Sequence, residues 1–226
     1  EQTAPMPYQT SSDGDSSDRA NWLHGDVWNM TELTESGRAI VKVSNNVVVN
    51  SDLKTFGLII DSGKTLTMNG SFGLRNSWYL GLNGTIDLKE DSQLIQTNTS
   101  DLVTTVNGKI LRRQEGTPNK FWYNYWSSPV GSTTATTISN NNSNTNNSNN
   151  SNYSLNMLKD GAGNNVQFTN QLHAVGKIST RWLYTFRNGV TYYDWGAVNP
   201  STSLEPGVAY TQKGTGVSGS EQQYLF

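Results

Sequence analysis

The chain has 226 residues, 34% of them hydrophobic and 10% aromatic, with a formal net charge of -2 and no cysteine. This length holds one large β domain or two smaller ones, and the near-neutral charge gives no electrostatic ground for nucleic acid as a partner. The missing cysteine excludes disulfides, Cys-ligated zinc and thiol catalysis, and no apolar run is long enough to make a transmembrane segment.

Residues 1–20 are polar and read as a linker, with Pro5 and Pro7 ahead of Ser11-Ser12-Asp13-Gly14-Asp15-Ser16-Ser17-Asp18. Asp13, Asp15 and Asp18 form a candidate calcium site, because calcium takes several oxygens around a tight loop. The further Glu of an EF-type loop is not placed there, so a solvated linker or capping turn is the competing reading. Glu1-Gln2-Thr3-Ala4-Pro5 has no charged-then-apolar signal pattern.

Residues 21–130 read as a β-solenoid-like region or rolled sheet that ends in an aromatic stretch. Val41 and Val43, Val47 and Val49, Leu58 and Ile60, Leu66 and Met68, Leu80 and Leu82, and Ile86 and Leu88 alternate as half-buried strands do. Ser62-Gly63-Lys64-Thr65-Leu66-Thr67-Met68 resembles Asn83-Gly84-Thr85-Ile86-Asp87-Leu88 about 20 residues on, and Asn107-Gly108-Lys109-Ile110-Leu111 repeats the pattern. A period near 20 fits one coil of a solenoid. As a two-residue hairpin, Asn83-Gly84 would set Leu82 against Thr85 and Leu80 against Asp87, with the apolar sets on opposite faces. Asn83-Gly84 and Asn69-Gly70 are therefore expected to be corners that pass the chain to the next face. Asp61, Asp87, Glu90 and Asp91 are the carboxylates a polysaccharide-active enzyme would need as a pair, with Asp87 expected to face solvent.

Phe121, Trp122, Tyr123, Tyr125 and Trp126 follow within six residues. Alternation puts Phe121, Tyr123 and Tyr125 on one face and Trp122, Asn124 and Trp126 on the other. Residues 131–154 are a Ser/Thr/Asn-rich surface insertion; nine of the thirteen residues from Asn140 to Asn152 are Asn, from which no core can be built. Residues 155–226 read as a β-sandwich-like segment, interrupted at Gln222-Gln223-Tyr224-Leu225-Phe226, so that the chain is expected to be a piece of a longer exported protein. Within it, a two-residue turn at Asn188-Gly189 sets Phe186 against Thr191, Tyr184 against Tyr193 and Trp182 against Trp195, a double aromatic ladder.

For catalysis the residues offer little. His24 and His173 have no zinc-type spacing, and Ser127-Ser128 lacks a nucleophile-elbow context. The aromatics are the binding candidates, since sugar rings stack on exposed Trp and Tyr. Trp122, Trp126, Trp182, Tyr184, Tyr193 and Trp195 are the expected platform, against the competing use of the same rings as core.

Ala20-Asn21-Trp22, Leu58-Ile59-Ile60-Asp61-Ser62-Gly63-Lys64-Thr65-Leu66-Thr67, Asn83-Gly84-Thr85-Ile86, Leu94-Ile95-Gln96, Arg112-Arg113, Trp126-Ser127-Ser128-Pro129-Val130 and Leu204-Glu205-Pro206-Gly207-Val208-Ala209-Tyr210 occur in that order. In this order they resemble the repetitive β-rich modules of large Bacteroidota (flavobacterial) cell-surface, adhesin-like proteins exported by the type IX secretion system. The resemblance covers most of residues 20–226 apart from the Asn-rich tract. It implies an extracellular location, on the outer cell surface or secreted, and a non-catalytic structural or adhesive role. It also implies neighbouring domains of the same long chain and the secretion machinery as partners, with surface glycans as a further partner. A carbohydrate-binding module and a fragment of a polysaccharide-active enzyme are the alternatives.

Overall fold

In a computed structural model, residues 7–23, 39–105, 107–131, 152–218 and 222–225 are described. They divide into two compact units, the first holding the described residues up to Leu111 and the second those from Arg112 onward. His24 and residues 132–151 of the Asn-rich tract lie outside the described residues.

The first unit is a parallel β-solenoid. One sheet runs β1 (Tyr8–Gln9), β3 (Ile40–Val43), β5 (Leu53–Ile60), β7 (Gly73–Leu82) and β10 (Asp101–Thr104), with β9 (Gln93–Gln96) also on β7. The other runs β2 (Gly14–Asp15), β4 (Val47–Val49), β6 (Thr65–Met68) and β8 (Thr85–Leu88); β11 (Lys109–Gly116) begins in this unit, where the Lys109 amide donates to the Gly84 carbonyl (2.9 Å). Leu66 stands beside Ile86, twenty residues on, and Leu58 beside Leu80. The spacing legible in the sequence is therefore the length of one coil. Alternate residues stack inward as ladders: Val41, Leu58 and Leu80; Val43, Ile60 and Leu82; Val47, Leu66 and Ile86; Val49, Met68 and Leu88. Each such side chain contributes roughly 1.5–3 kcal/mol on burial.

β5 and β7 each serve two sides of the coil. Leu53 to Thr55 pair with Leu74 to Asn76, the register shifts at Phe56, and Gly57 to Ile60 pair with Tyr79 to Leu82. In the last coil these halves are separate strands, β9 and β10. At the shift sits Asn76, fully buried. Its amide donates to the Thr55 hydroxyl (3.1 Å) and the Tyr79 carbonyl (2.9 Å) and accepts from Ser100 (2.6 Å), which satisfies a polar group that burial would otherwise penalise.

Asn83-Gly84 is a corner, as expected: Leu82 ends a strand of one sheet and Thr85 begins a strand of the other. The Asn83 and Gly84 amides both donate to the Ile60 carbonyl of the coil before (3.0 and 3.1 Å). Residues 7–23 differ from the expected linker. They form the first coil, with Thr10, Ser16 and Trp22 buried and the Trp22 indole donating to the Ser16 carbonyl at 2.9 Å.

The second unit is an antiparallel sheet with short additional pairs. β12 (Tyr123–Trp126), β18 (Tyr210–Lys213), β16 (Tyr184–Thr185) and β17 (Gly196–Ala197) lie in that order. β14 (Phe168–Thr169) and β15 (Ile178–Ser179) form a parallel pair, and β19 (Gln222–Leu225) pairs with Arg113 to Gly116 of β11 and with β13 (Lys159–Asp160). The aromatic stretch thus belongs to this unit. Its core is Trp126, Tyr153, Leu155, Leu158, Ile178, Leu183, Val198, Leu204 and Tyr210. Tyr153, expected in the surface insertion, is a core residue whose backbone pairs with Leu204.

The expected double aromatic ladder does not form. Tyr184 stands opposite Ala197 and Thr185 opposite Gly196, four residues beyond the predicted register. Asp194 closes a longer loop by accepting from the Val190 and Thr191 amides (2.8 and 2.7 Å) at the start of a 3-10 turn, Tyr192–Asp194. That capping box outcompetes a two-residue turn at Asn188-Gly189.

Candidate functional site

The outer face of the antiparallel sheet starts from the alternation in β12. Asn124 and Trp126 turn inward, while Tyr123 and Tyr125 turn outward, Tyr125 with 68% of its surface exposed. β18 sets Lys213 opposite Tyr123 and Thr211 opposite Tyr125, and β16 sets Tyr184 opposite Thr211. The Thr211 hydroxyl accepts from the Tyr184 amide (3.2 Å) and donates to the Trp182 carbonyl (3.0 Å), tying residues 182–184 to β18. The Trp182 indole N–H donates to the Leu172 carbonyl (2.8 Å), which fixes the ring.

Lys213 is held between two of these rings. Its Nζ lies 3.6 Å from the Trp182 ring centre and 5.0 Å from that of Tyr123, close enough for cation–π attraction. Tyr123 meets Trp182 edge to face at 6.4 Å and Tyr125 at 6.5 Å with a 40° tilt. Partial burial, and then the neighbouring phenols of Tyr184, Tyr125 and Tyr192, push the Tyr123 hydroxyl above the ordinary tyrosine value. In the loop between β16 and β17, Phe186 packs on Trp195 at 5.0 Å with a 48° tilt, and Tyr192 meets Tyr193 edge to face at 5.8 Å. The result is a surface of apolar ring faces edged by phenol hydroxyls and one ammonium group. Such a surface suits sugars, whose C–H faces stack on rings while their hydroxyls find polar partners.

Of the six aromatics expected as a platform, Trp182 and Tyr184 lie on this face, half-buried. Trp122 is exposed in the turn before β12, and its carbonyl accepts from the Gly214 amide (3.3 Å). Tyr193 is almost wholly exposed, and Trp195 packs on Phe186. Trp126 is corrected: it is 8% exposed and belongs to the core, on the face opposite Tyr123 and Tyr125. Tyr123, Tyr125 and Lys213 were not among the expected residues. The alternation separates the two faces of β12 but does not say which is covered, and one Lys in a strand reads as solvated by default.

The three carboxylates weighed for calcium bond to protein groups. Asp13 accepts from the Asn46 amide (2.8 Å) and side chain (3.1 Å), Asp15 from Ser17 and Asn50, and Asp18 from the Ala20 amide (3.0 Å). Asn50 in turn accepts from Asn69 (2.8 Å), so Asp13 and Asp15 tie the first coil to the next, while Asp18 caps a 3-10 turn of its own coil. The Asn46 amide beside Asp13, and the Ser17 hydroxyl and amide beside Asp15, hold both carboxyls below the usual range. Among the described residues, no group of three His, Cys, Asp or Glu could hold a metal ion. The carboxylates weighed for hydrolysis are dispersed. Asp61 sits in one corner, paired with Lys42 (3.6 Å) and Ser44 (2.6 Å), and Glu90 and Asp91 follow the next face of the solenoid. Asp87, expected in solvent, is buried although it points away from Ile86 and Leu88.

A smaller aromatic surface lies on the solenoid, where Phe56 stacks on Trp78 at 4.7 Å and 15°. Both are exposed, stacked at the register shift of β5. Compared with known proteins, the chain matches no protein family, no curated protein and no solved structure.

Proposed function

We propose that the chain is a non-catalytic module of a large secreted or cell-surface protein, of the kind exported by the type IX secretion system of Bacteroidota. In it the solenoid serves as a stiff spacer, and the second unit carries a glycan-contacting, adhesive face. The observation that carries this reading is the outward set of Tyr123, Tyr125, Trp182 and Tyr184 around Lys213. Tyr123 and Tyr125 stand exposed with Trp182 and Tyr184 half-buried beside them; large exposed rings on one sheet face mark contact surfaces, and the unit fills its own core with other residues. The solenoid supports the spacer role through ladders that run from coil to coil.

The test is titration of the chain with soluble glycans, read by tryptophan emission and acrylamide quenching. One glycan class is expected to shift the emission and protect it from quenching. Tyr125→Ala should weaken that binding about tenfold, or ~1.4 kcal/mol, while Trp78→Ala on the solenoid leaves it unchanged. If no glycan alters emission or quenching, the adhesive role is lost and a purely structural module remains.

A further inference from the structure

Lys213 distinguishes this face from a neutral sugar platform. Its ammonium is set against the Trp182 and Tyr123 rings, and among the described residues no carboxylate pairs with it. Lys42, by contrast, is paired with Asp61 and Arg187 with Glu205. An ammonium drawn partly out of water loses hydration that ring contacts repay only in part, and an anionic ligand would supply the rest. The surrounding charge has the same sign. From Arg112 to Phe226 the sequence carries eight Lys and Arg against five Asp and Glu, whereas from Glu1 to Leu111 it carries eight against thirteen. The near-neutral total therefore hides a basic second unit, and the aromatic face lies on it. Lys120, over the Phe121 ring at 5.2 Å, repeats the cation-on-ring arrangement just before β12.

We propose that the ligand of this face is an acidic polysaccharide, one bearing carboxylate or sulfate groups, and that Lys213 binds the charge while Tyr123, Tyr125 and Trp182 stack on the sugar. This rests on the glycan-contacting reading above and narrows it to one ligand class. The rings favour polysaccharide over nucleic acid. They are tilted or edge-on to one another and offer no row of parallel platforms for successive bases.

The full chain is titrated with polygalacturonate, dextran sulfate and neutral dextran at low and moderate salt, and with single-stranded DNA. Polygalacturonate and dextran sulfate are the arms that separate carboxylate from sulfate. At least one is expected to bind at least tenfold tighter than dextran and to weaken as salt rises. Lys213→Gln should lose about tenfold for the acidic polymer, and Lys213→Arg should restore it by keeping both charge and ring contact. Lys159→Gln, whose ammonium bonds Asn165, removes the same charge away from the rings and should leave binding unchanged. Equal loss in Lys159→Gln and Lys213→Gln would mean unlocalised attraction and would overturn the proposal. So would dextran binding as tightly as the acidic polymers, tighter binding of DNA, or a Lys213→Gln chain that folds and binds normally. Binding of neutral dextran alone would end this inference while sparing the glycan-contacting face; binding of no polysaccharide would end both.

Discussion

Gly84→Ala and Gly63→Ala, two substitutions around the same solenoid corner, should differ in cost for separate physical reasons. A Cβ on Gly84 would lie 2.3 Å from the Lys64 carbonyl oxygen, 2.4 Å from that of Asp61 and 2.8 Å from Ile60 Cγ2. Ordinary contact begins at 3.4 Å, and two of the three obstacles are backbone of the preceding coil, so the coils would have to part by about an ångström. Parting them strains the bonds from the Asn83 and Gly84 amides to Ile60 and from the Thr85 amide to Lys64 (2.8 Å). Overpacking costs about 1–3 kcal/mol and each weakened backbone bond about 1 kcal/mol, so Gly84→Ala should lose about 3 kcal/mol or more. Gly63 has φ +73° and nothing within 4 Å of its Cβ position. Its replacement costs only the left-handed backbone, about 1–2 kcal/mol. Native-state hydrogen exchange on the full chain reads both, through the free energy of opening at the Thr85 and Lys109 amides, which cross the corner to Lys64 and Gly84. Gly84→Ala matching the parent chain, or costing less than Gly63→Ala, would refute the close stacking of corners.

The second unit offers further tests. Burial pushes the Tyr153 hydroxyl up to about 12, while it donates to the Val208 carbonyl at 2.5 Å. The unfolded phenol ionises near 10, so its contribution is intact below pH 10 and fades as pH rises toward 12, by roughly 1.4 kcal/mol per unit. Urea unfolding of Tyr153→Phe should show a shallower alkaline decline than the parent, and equal slopes would contradict the assignment. Gln212 is fully buried, and its side-chain amide has no hydrogen-bond partner among the described residues. Gln212→Met should therefore be neutral or stabilising by about 1 kcal/mol, and a clear loss in thermal unfolding would show that the amide is satisfied. The Thr191 and then the Val190 amides hold the Asp194 carboxyl below its ordinary value. The grip on the Tyr192 loop is thus present above about pH 3.8 and lost as pH falls through the depressed folded value. Asp194→Ala should abolish exchange protection of those two amides at neutral pH, and retained protection would contradict the capping role.

The parts legible in the sequence were those that repeat. Leu66 and Ile86, or Leu58 and Leu80, alternate with outward residues at a spacing that matches the coil, and parallel stacking leaves that period in the chain. The first coil was hidden because β1 and β2 are two residues each, too short to show alternation, and its carboxylates bind neighbouring backbone and Asn side chains. The 182–197 register was hidden because Asn188-Gly189 resembles a hairpin turn, while Asp194, several residues on, decides the closure. At the candidate site the two faces of β12 could be separated by period, but burial of Trp126 rather than Tyr125 follows from the Tyr153 and Tyr210 side chains that share its cluster. The pairing of Lys213 with Tyr123 depends on strands about ninety residues apart in the chain and leaves no local signal.

The proposed function puts polysaccharide contact on the second unit's outer aromatic face and none on the solenoid. Amide exchange of the full chain, recorded without polymer and with saturating polygalacturonate, dextran sulfate or dextran in turn, reads this contact residue by residue. Added protection confined to 121–126, 182–185 and 210–213 is the expected result. Protection spread over the solenoid coils, or none anywhere with any of the three polymers, would contradict it.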